Sequence, residues 1–329
     1  MFKGAGKLLP TPVFVGSALV GAFGFAIISK DRIGGEPYRD DIKADGKVVI
    51  VTGSNTGIGK ETAWELARRG AKVYMACRDM KSCETTREEI VLDTKNKYVY
   101  CRPCDLASLD SIRSFVKAFK KQEDRLDILI NNAGVMRTPE GSKTKDGFEM
   151  QLGVNHMGHF LLTNLLLDHL RNSVPSRIIN VASVAYKRGT INKQDLNCSV
   201  NYNPGKAYSQ SKLANVLFSN ELADRLAGTG VTVNSVHPGI VDTAIIRHMA
   251  IYKSWISTII AKPLSWAFVK TPKQGCQTII YTALDPEMEK VTGKYLCDYK
   301  EEKLVGEATD KELGKWLWLV SEKWTRLNM

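Results

Sequence analysis

The chain has 329 residues, of which 43% are hydrophobic and 25% charged, and its 46 lysines and arginines against 35 aspartates and glutamates give a net charge of +11. This length and composition suit a folded protein with a full core, and they exclude a disordered tail, a disulfide mini-protein and a polytopic membrane protein. The positive charge favours a partner of opposite sign, such as a nucleic acid, a phosphorylated ligand or an anionic membrane.

The first residues differ from the rest because no charged side chain occurs within Leu8–Ser29. As a helix this stretch reaches about 33 Å, enough to cross a bilayer, whereas its most apolar part, Val13–Ile28, reaches only about 24 Å. We expect a membrane anchor; an interfacial helix, a cleaved signal peptide, a mitochondrial targeting segment and a helix buried on the domain remain open. Glycines and a proline at residues 34–37 predict a linker, so residues 1–45 are expected to form the anchor and linker.

From residue 47 onward, short apolar runs alternate with longer helical patterns. This alternation predicts one α/β domain, a doubly wound parallel sheet with helices on both faces, over residues 46–300, followed by a helical tail over 301–329. The tail carries Leu313, Trp316, Leu317, Val320 and Trp324 at helical spacing. Strands are predicted at Lys47–Thr52, Lys72–Cys77, Tyr98–Arg102, Asp127–Asn131, Arg177–Ala182, Val231–Val236 and Lys294–Cys297, and helices at Ile58–Arg69, Ser108–Gln122, Phe148–Arg171 and Tyr208–Ala227.

The first predicted strand ends in a glycine-rich turn within which a helix begins. Glycines here let the chain turn sharply, let backbone N–H groups approach a pyrophosphate, and let the helix pack on the strand. The helix N-terminus then faces the negative charge. The turn predicts a dinucleotide-binding site made by Gly53, Ser54, Asn55, Thr56, Gly57, Ile58 and Gly59.

The end of the second predicted strand bears on the choice between NAD and NADP. A fold that prefers NAD usually places an acid there to bind the ribose hydroxyls. In this chain Cys77 lies near that position and Arg78 follows, which favours a 2′-phosphate and therefore NADP(H). The alternative is that Arg78 is a solvated loop residue and that Asp79 caps the next helix.

Tyr208 and Lys212 lie four residues apart at the start of a predicted helix, so they share one face. An ammonium near a phenol favours the phenolate and lowers a pKa that is otherwise near 10. The pair is therefore a candidate general acid/base. Ser183 at the end of the fifth strand and Asn155 in the preceding helix add to it, because the carboxyl ends of neighbouring strands converge on the ligand crevice.

Taken in chain order, these residues resemble the short-chain dehydrogenase/reductase family over about Lys47–Asp298. The match also includes Asn131-Asn132-Ala133-Gly134 after the fourth strand and His237-Pro238-Gly239 after the sixth. Within the family, three stretches are similar to the retinol dehydrogenase branch. These are Gly57–Ala63, Ala76–Asp79 and Val154–Phe160.

The resemblance implies a role for each matching residue. Tyr208 exchanges the proton at the substrate oxygen, Ser183 hydrogen-bonds that oxygen, Lys212 binds the nicotinamide ribose and tunes Tyr208, and Asn155 holds a water of the proton relay. The implied activity is NADP(H)-dependent interconversion of retinol and retinaldehyde. Further cofactor contacts are implied at Asp105, Leu106, Asn132, Ala133, Gly134, Pro238, Gly239 and Thr243.

The stretch Thr243–Leu284 is basic and aromatic, and contains no aspartate or glutamate. The resemblance implies that residues 243–284 form the lid over a lipophilic substrate. Such a composition is typical of an interfacial helix on an anionic bilayer, so one hypothesis is that the lid docks on the membrane, and the other is that its apolar face only lines the pocket. The expected location is an endoplasmic reticulum or inner mitochondrial membrane, and a homodimer remains open.

Several other features favour ordinary structural roles or weaker hypotheses. Cys101 and Cys104 have metal-ligand spacing but are predicted to be two ordinary cysteines, and His156 and His159 are predicted to pack or cap, so no metal is expected.

A steroid or fatty aldehyde substrate remains open because an apolar pocket discriminates weakly among lipids. A membrane-recruited scaffold without turnover is a further alternative. Nucleic-acid binding ranks last because no reader motif gathers the basic residues.

Overall fold

The computed structural model describes residues 37–39, 41–241 and 269–328. In this part of the chain eight strands form one sheet in the order β3-β2-β1-β4-β5-β6-β7-β8. Neighbours from β3 to β7 are parallel, and β8 pairs antiparallel with β7, so the predicted doubly wound sheet is confirmed. The strands are β1 Val48–Thr52, β2 Lys72–Cys77, β3 Val99–Pro103, β4 Ile128–Asn131, β5 Ser176–Val181, β6 Val231–His237, β7 Lys294–Cys297 and β8 Lys300–Glu301.

Helices cover both faces of this sheet because its central strands are apolar on both sides. In β1, Val48 and Ile50 pack into one core layer while Val49 and Val51 pack into the other, as the two-residue period of a strand dictates. The helices are α1 Gly57–Arg68, α2 Met80–Thr94, α3 Leu109–Lys120, α4 Met150–Leu152, α5 Gly158–Arg171, α6 Pro204–Arg225, α7 Pro272–Gly275, α8 Gln277–Leu284 and α9 Lys311–Thr325.

The sequence predicts the helices of the first core layer better than those of the second. Apolar side chains of α3, α5, α6 and α9 join the first layer, and those of α1, α2 and α8 join the second. The spacing of the C-terminal tail does form a helix, and Leu313, Leu317 and Trp318 of α9 are buried in the first layer. Helices α2 and α8 were not predicted.

The helix predicted as continuous over Phe148–Arg171 is interrupted. Between α4 and α5, Gly153–Met157 forms a π-helical turn in which the N–H of Gly158 reaches back to the carbonyl of Gly153. Such turns insert one extra residue into a helix and often mark functional sites. Asn155 lies inside this turn, so the interruption coincides with a predicted catalytic residue.

Part of the stretch predicted as a lid belongs to the core. Helix α8, Gln277–Leu284, falls within residues 243–284, and its Ile279 and Ile280 are fully buried with β1 and α1 in the second layer. Residues 243–268 of that stretch lie outside the described residues.

The prediction of two unpaired cysteines at Cys101 and Cys104 is wrong for Cys101. It forms a disulfide with Cys83 of α2, and their Cα atoms are 6.0 Å apart. The sequence pattern missed this pair because Cys83 lies in a helix that was not predicted. Cys104 is a free, buried thiol, and burial raises its pKa to about 12.

The described end of the predicted linker packs against the domain. Tyr38 is buried, and its backbone N–H donates to Gln277 Oε1 at 2.9 Å. Arg69 at the end of α1 donates to the carbonyls of Arg39 and Ile42, each at 2.7 Å. Among the described residues no helix is both long and apolar enough to cross a bilayer. The predicted anchor lies outside them.

Candidate active site

The candidate site lies where the carboxyl ends of β1, β4 and β5 meet. The sheet order reverses between β1 and β4, because β2 and β3 lie on one side of β1 and β5 to β7 on the other. Ligands of open α/β sheets bind in the crevice outside such a switch point. The glycine-rich turn follows β1, the Asn132–Gly134 segment follows β4, and Ser183 follows β5.

The glycine-rich turn requires its glycines. Gly53 and Gly57 have φ values of +63° and +58°, in the left-handed region that glycine adopts without strain. A Cβ on Gly59 would collide with the carbonyl of Gly53 and the side chain of Asn132. The turn therefore exposes backbone rather than side chains at the start of α1, which is the surface that a pyrophosphate requires.

Asn132 and Thr52 hold this turn against the end of β4. Asn132 donates from Nδ2 to the carbonyl of Thr52 at 2.9 Å, and the backbone N–H groups of Asn132 and Ala133 both donate to Thr52 Oγ1 at 2.9 Å. The side chain of Asn132 is therefore directed back into the protein, and it fixes the shape of the crevice. Sequence reasoning missed Thr52, although its place directly before Gly53 was a signal.

The end of β2 carries the residues that bear on the ribose phosphate. Arg78 is exposed there, and Cys77 is buried with Sγ 3.6 Å from Ser54 Oγ. Asp79 caps α2, since its carboxylate accepts from the N–H of Ser82 at 3.1 Å. Asp105 after β3 accepts from the N–H of Ala107 at 3.0 Å within its own turn.

Tyr208 and Ser183 lie side by side. Burial raises the pKa of the Tyr208 phenol, and the nearby Ser183 hydroxyl lowers it by less. The net direction is upward, opposite to the lowering that the Tyr–Lys spacing predicts. The reason is that burial is the larger effect, while Lys212 Nζ lies 5.8 Å from the centre of the Tyr208 ring and donates to the Val181 carbonyl.

Lys212 is almost fully buried on α6. Its Nζ donates to the carbonyl of Val181, the last residue of β5, at 2.9 Å. Burial lowers the pKa of its ammonium to about 8. A Cβ on Gly134 would lie 3.7 Å from this Nζ, so Gly134 is an immediate neighbour of Lys212.

Asn155 connects the loop after β4 to the helix that carries Tyr208. Its Oδ1 accepts from the N–H of Val135 at 2.8 Å, and its Nδ2 donates to the Val135 carbonyl and to Ser211 Oγ at 3.0 and 2.9 Å. Ser211 in turn donates to the carbonyl of Tyr208 at 2.8 Å. Both hydrogens of the Asn155 side-chain amide are engaged. A bound water would therefore have to donate to an oxygen atom of Asn155. Sequence reasoning missed Ser211, whose only signal was its place between Tyr208 and Lys212.

The remaining predicted residues lie at the edges of the site. Leu106 is buried, and its carbonyl lies against Gly158 at the start of α5. Pro238 and Gly239 directly follow β6, and Gly239 has a φ of +86°. A Cβ on Gly239 would lie 2.8 Å from Cδ of Lys270. Thr243 lies outside the described residues.

Comparison with known proteins agrees with this geometry. Residues 47–251 match the family model described as short chain dehydrogenase. The chain is 50% identical to human retinol dehydrogenase 13 over 308 residues, 93% of each chain. It is also 50% identical to mouse retinol dehydrogenase 14 over 291 residues, covering 84% of this chain and 85% of that one. The predicted resemblance to the retinol dehydrogenase branch is confirmed.

A solved structure supports the same fold. The Pseudomonas aeruginosa RhlG/NADP active-site complex is 27% identical with a TM-score of 0.63, and the alignment covers 80% of this chain and 97% of that one.

Proposed function

Because this chain belongs to the short chain dehydrogenase family, we propose that it is an NADP(H)-dependent oxidoreductase that interconverts retinol and retinaldehyde. That the protein is an oxidoreductase which uses a nicotinamide dinucleotide follows from its family. The single observation that carries the catalytic part is the proximity of Ser183 to Tyr208 beside a buried Lys212. The choice of a retinoid as the substrate rests on the retinol dehydrogenases that match nearly the whole chain.

The residues present fit a dinucleotide. The turn from Gly53 to Gly59 offers backbone to a pyrophosphate, and Gly134 places no side chain beside Lys212, which would hold the ribose. When bound, the nicotinamide supplies or accepts the hydride. The protein's part is to orient that ring, to hold the substrate oxygen and to move its proton.

Tyr208 and Ser183 act together on the substrate oxygen in this proposal. The Tyr208 phenol donates its proton to a carbonyl oxygen as negative charge develops there, and Ser183 hydrogen-bonds the same oxygen. Burial keeps the Tyr208 phenol protonated at neutral pH because it raises the pKa of this group. A protonated phenol is the form that donates when an aldehyde is reduced, and an NADPH-rich compartment would favour that direction.

Lys212 and Asn155 supply the surroundings of that proton transfer. The Lys212 ammonium beside Gly134 binds the nicotinamide ribose and provides positive charge near Tyr208. Asn155 holds Val135 and, through Ser211, the backbone of Tyr208. A relay water on an oxygen of Asn155 would extend the path of the proton.

The preference for NADP(H) predicts a large effect at Arg78. In Arg78→Ala, the dissociation constant for NADPH should rise by about tenfold to a hundredfold, because a charge-assisted hydrogen bond to the 2′-phosphate is lost. The constant for NADH should change by less than about threefold. Both are measured by nicotinamide fluorescence.

The matched control for Arg78→Ala is Lys97→Ala, which removes one exposed positive charge before the amino end of β3, whereas Arg78 follows the carboxyl end of β2. It should leave both dissociation constants unchanged. Equal weakening of NADPH and NADH binding in Arg78→Ala would assign Arg78 to something other than the phosphate.

The substrate is tested with purified full-length protein in detergent. We expect kcat/KM with NADPH to be highest for all-trans-retinal among retinal, a 3-ketosteroid and a long-chain fatty aldehyde. Turnover of a steroid or fatty aldehyde with retinal inert would keep the mechanism and reject the retinoid. NADPH binding without turnover of any carbonyl would favour the scaffold alternative.

Membrane association is part of the proposal and rests on the uncharged stretch 8–29. An endoplasmic reticulum or inner mitochondrial membrane would supply the lipophilic substrate. Full-length protein should stay in the membrane pellet after washing with alkaline carbonate, and a form lacking residues 1–36 should be released. Release of the full-length protein by the same wash would reject the anchor. If the shortened form stayed in the membrane pellet, the stretch 243–284 would be assigned as the membrane attachment instead.

A further inference from the structure

His159 is a buried imidazole between the dinucleotide turn and the catalytic turn. It lies at the start of α5, one helical turn after Asn155, and is only 2% exposed. Its Nε2 is 2.9 Å from Thr52 Oγ1, and its Nδ1 is 3.0 Å from the backbone carbonyl oxygen of Asn155. One side chain therefore contacts the end of β1 and the π-helical turn at once.

The hydrogen bonds around Thr52 determine which ring nitrogen carries the proton. Thr52 Oγ1 accepts from the backbone N–H groups of Asn132 and Ala133, both at 2.9 Å, and these two donors occupy its two lone pairs. Its single hydrogen is left for His159 Nε2 at 2.9 Å or the carbonyl of Ile130 at 3.5 Å. The shorter and therefore stronger bond makes Nε2 an acceptor.

The other side of the ring agrees with this assignment. A neutral imidazole that accepts at Nε2 carries its hydrogen at Nδ1. The partner of Nδ1 is the carbonyl oxygen of Asn155, which can only accept. Every hydrogen and acceptor of the ring is thus used, and the chain of bonds runs from the N–H groups of Asn132 and Ala133 through Thr52 and His159 to Asn155.

The imidazole stays neutral at physiological pH. The pKa of His159 is lowered to about 4, mainly by burial, and the nearby Lys212 ammonium acts in the same direction. The bond to the Asn155 carbonyl acts in the opposite direction but does not prevail. His156, the other histidine beside it, is also neutral, because burial lowers its pKa to about 3. The donor at Nδ1 and the acceptor at Nε2 are therefore both maintained.

We propose that His159 is a positioning residue which aligns the dinucleotide turn with the catalytic turn, by donating to the Asn155 carbonyl and accepting from Thr52. This inference rests on the proposed function, because the proposed function assigns Asn155 and Tyr208 to the proton transfer. The acceptor side holds Thr52 and, through it, the segment that follows β4. The donor side holds the carbonyl of Asn155, whose side chain is linked through Ser211 to the backbone of Tyr208.

Amide substitutions separate the two sides. The amide of asparagine branches at the same carbon as Nδ1 of histidine, so His159→Asn keeps a donor for the Asn155 carbonyl and loses the acceptor for Thr52. The longer glutamine reaches the place of Nε2, so His159→Gln keeps the acceptor for Thr52 and loses the donor. His159→Phe keeps a ring of similar size and loses both.

The experiment measures the NADPH dissociation constant by fluorescence and kcat with all-trans-retinal. His159→Phe should weaken NADPH binding and lower kcat, each by about tenfold or more, because a displacement of about 1 Å in a catalytic site is costly. His159→Gln should retain NADPH affinity within about twofold while kcat falls, and His159→Asn should retain kcat better than NADPH affinity.

His156→Phe is the matched control. His156 lies on the same stretch of helix, is equally buried, and bonds Ser321 of α9 rather than the site. It should lower the melting temperature with little effect on NADPH affinity or kcat. If the substitutions at His159 change both parameters no more than His156→Phe does, the inference is overturned.

A second series at Thr52 covers the case in which the His159 variants do not fold. Thr52→Ser keeps the hydroxyl and should bind NADPH like the wild type, while Thr52→Val should bind it about tenfold more weakly. Equal affinity of these two variants would overturn the inference. Wild-type protein that binds NADPH but reduces no retinal would reject the proposed function alone, because the NADPH affinities still decide the role of His159.

Discussion

Tyr208→Phe should lower kcat for retinal reduction by about a thousandfold, because general acid catalysis by a positioned side chain contributes about 10² to 10⁴. The phenol lies near Ser183, and burial raises its pKa, so it is protonated at neutral pH. The ring itself remains, so packing beside Lys212 is preserved. The NADPH dissociation constant should stay within about twofold of the wild type. Steady-state kinetics and fluorescence binding measure the two quantities.

Tyr186→Phe is the control for this substitution. Tyr186 lies three residues after Ser183, is 1% exposed and packs against Tyr295, so the same phenol is removed from a buried position away from the crevice. Its kcat should match the wild type. If Tyr208→Phe retained more than about a tenth of the wild-type kcat, another group would have to donate the proton.

Lys212→Met should lower kcat/KM by about a hundredfold or more, and part of the loss should come from weaker dinucleotide binding. Methionine has a similar length and lacks the ammonium, so it contributes no charge near Tyr208 and no donor to a ribose hydroxyl. The matched control is Lys206→Met, an exposed lysine in the first turn of α6. Unchanged kcat/KM in Lys212→Met would remove Lys212 from the site.

The wild type and Lys212→Met should also differ in how their stability depends on pH. Burial lowers the pKa of Lys212 in the folded protein to about 8, against 10.5 for an unperturbed lysine. Between these values the unfolded chain binds one more proton than the folded protein, so the free energy of unfolding of the wild type rises with pH relative to Lys212→Met. The slope should be about 1.4 kcal/mol per pH unit.

Urea titrations at pH values from 7 to 11 measure this difference. Below pH 8 Lys212 is charged in both states, so the difference in free energy between the two proteins should be constant there. A difference that stays constant from pH 8 to 10.5 would mean that the folded pKa of Lys212 is not lowered.

The strands could be predicted from the sequence because strands buried on both faces form apolar runs. Lys72–Cys77 and Lys294–Cys297 were predicted at the observed bounds. Helix α2 was missed because its exposed face is highly polar and only Cys83, Thr86 and Ile90 are buried. Helix α8 falls within the stretch that the family resemblance assigns to a lid, and the sequence alone did not separate its buried core residues from a lid.

The residues proposed to be catalytic could be selected from their types and order, but their connections could not. Nothing in the spacing of Asn155 and His159 indicates a π-helical turn, which depends on how the surrounding helices pack. The pKa of Tyr208 was predicted in the wrong direction because helical spacing gives the distance to Lys212 and not the burial of the phenol. The link between Thr52 and His159 joins residues 107 apart in sequence, so it becomes visible only in the folded protein.

The most direct test of the proposed chemistry follows the hydrogen that is transferred. All-trans-retinal is reduced by the full-length protein with NADPH that carries deuterium at both positions of C4, and the retinol formed is analysed by mass spectrometry. We expect retinol with one deuterium on the carbinol carbon, and none formed by Tyr208→Phe in the same time. Retinol without the label, or no retinol from a protein that binds NADPH, would contradict direct transfer between dinucleotide and retinoid.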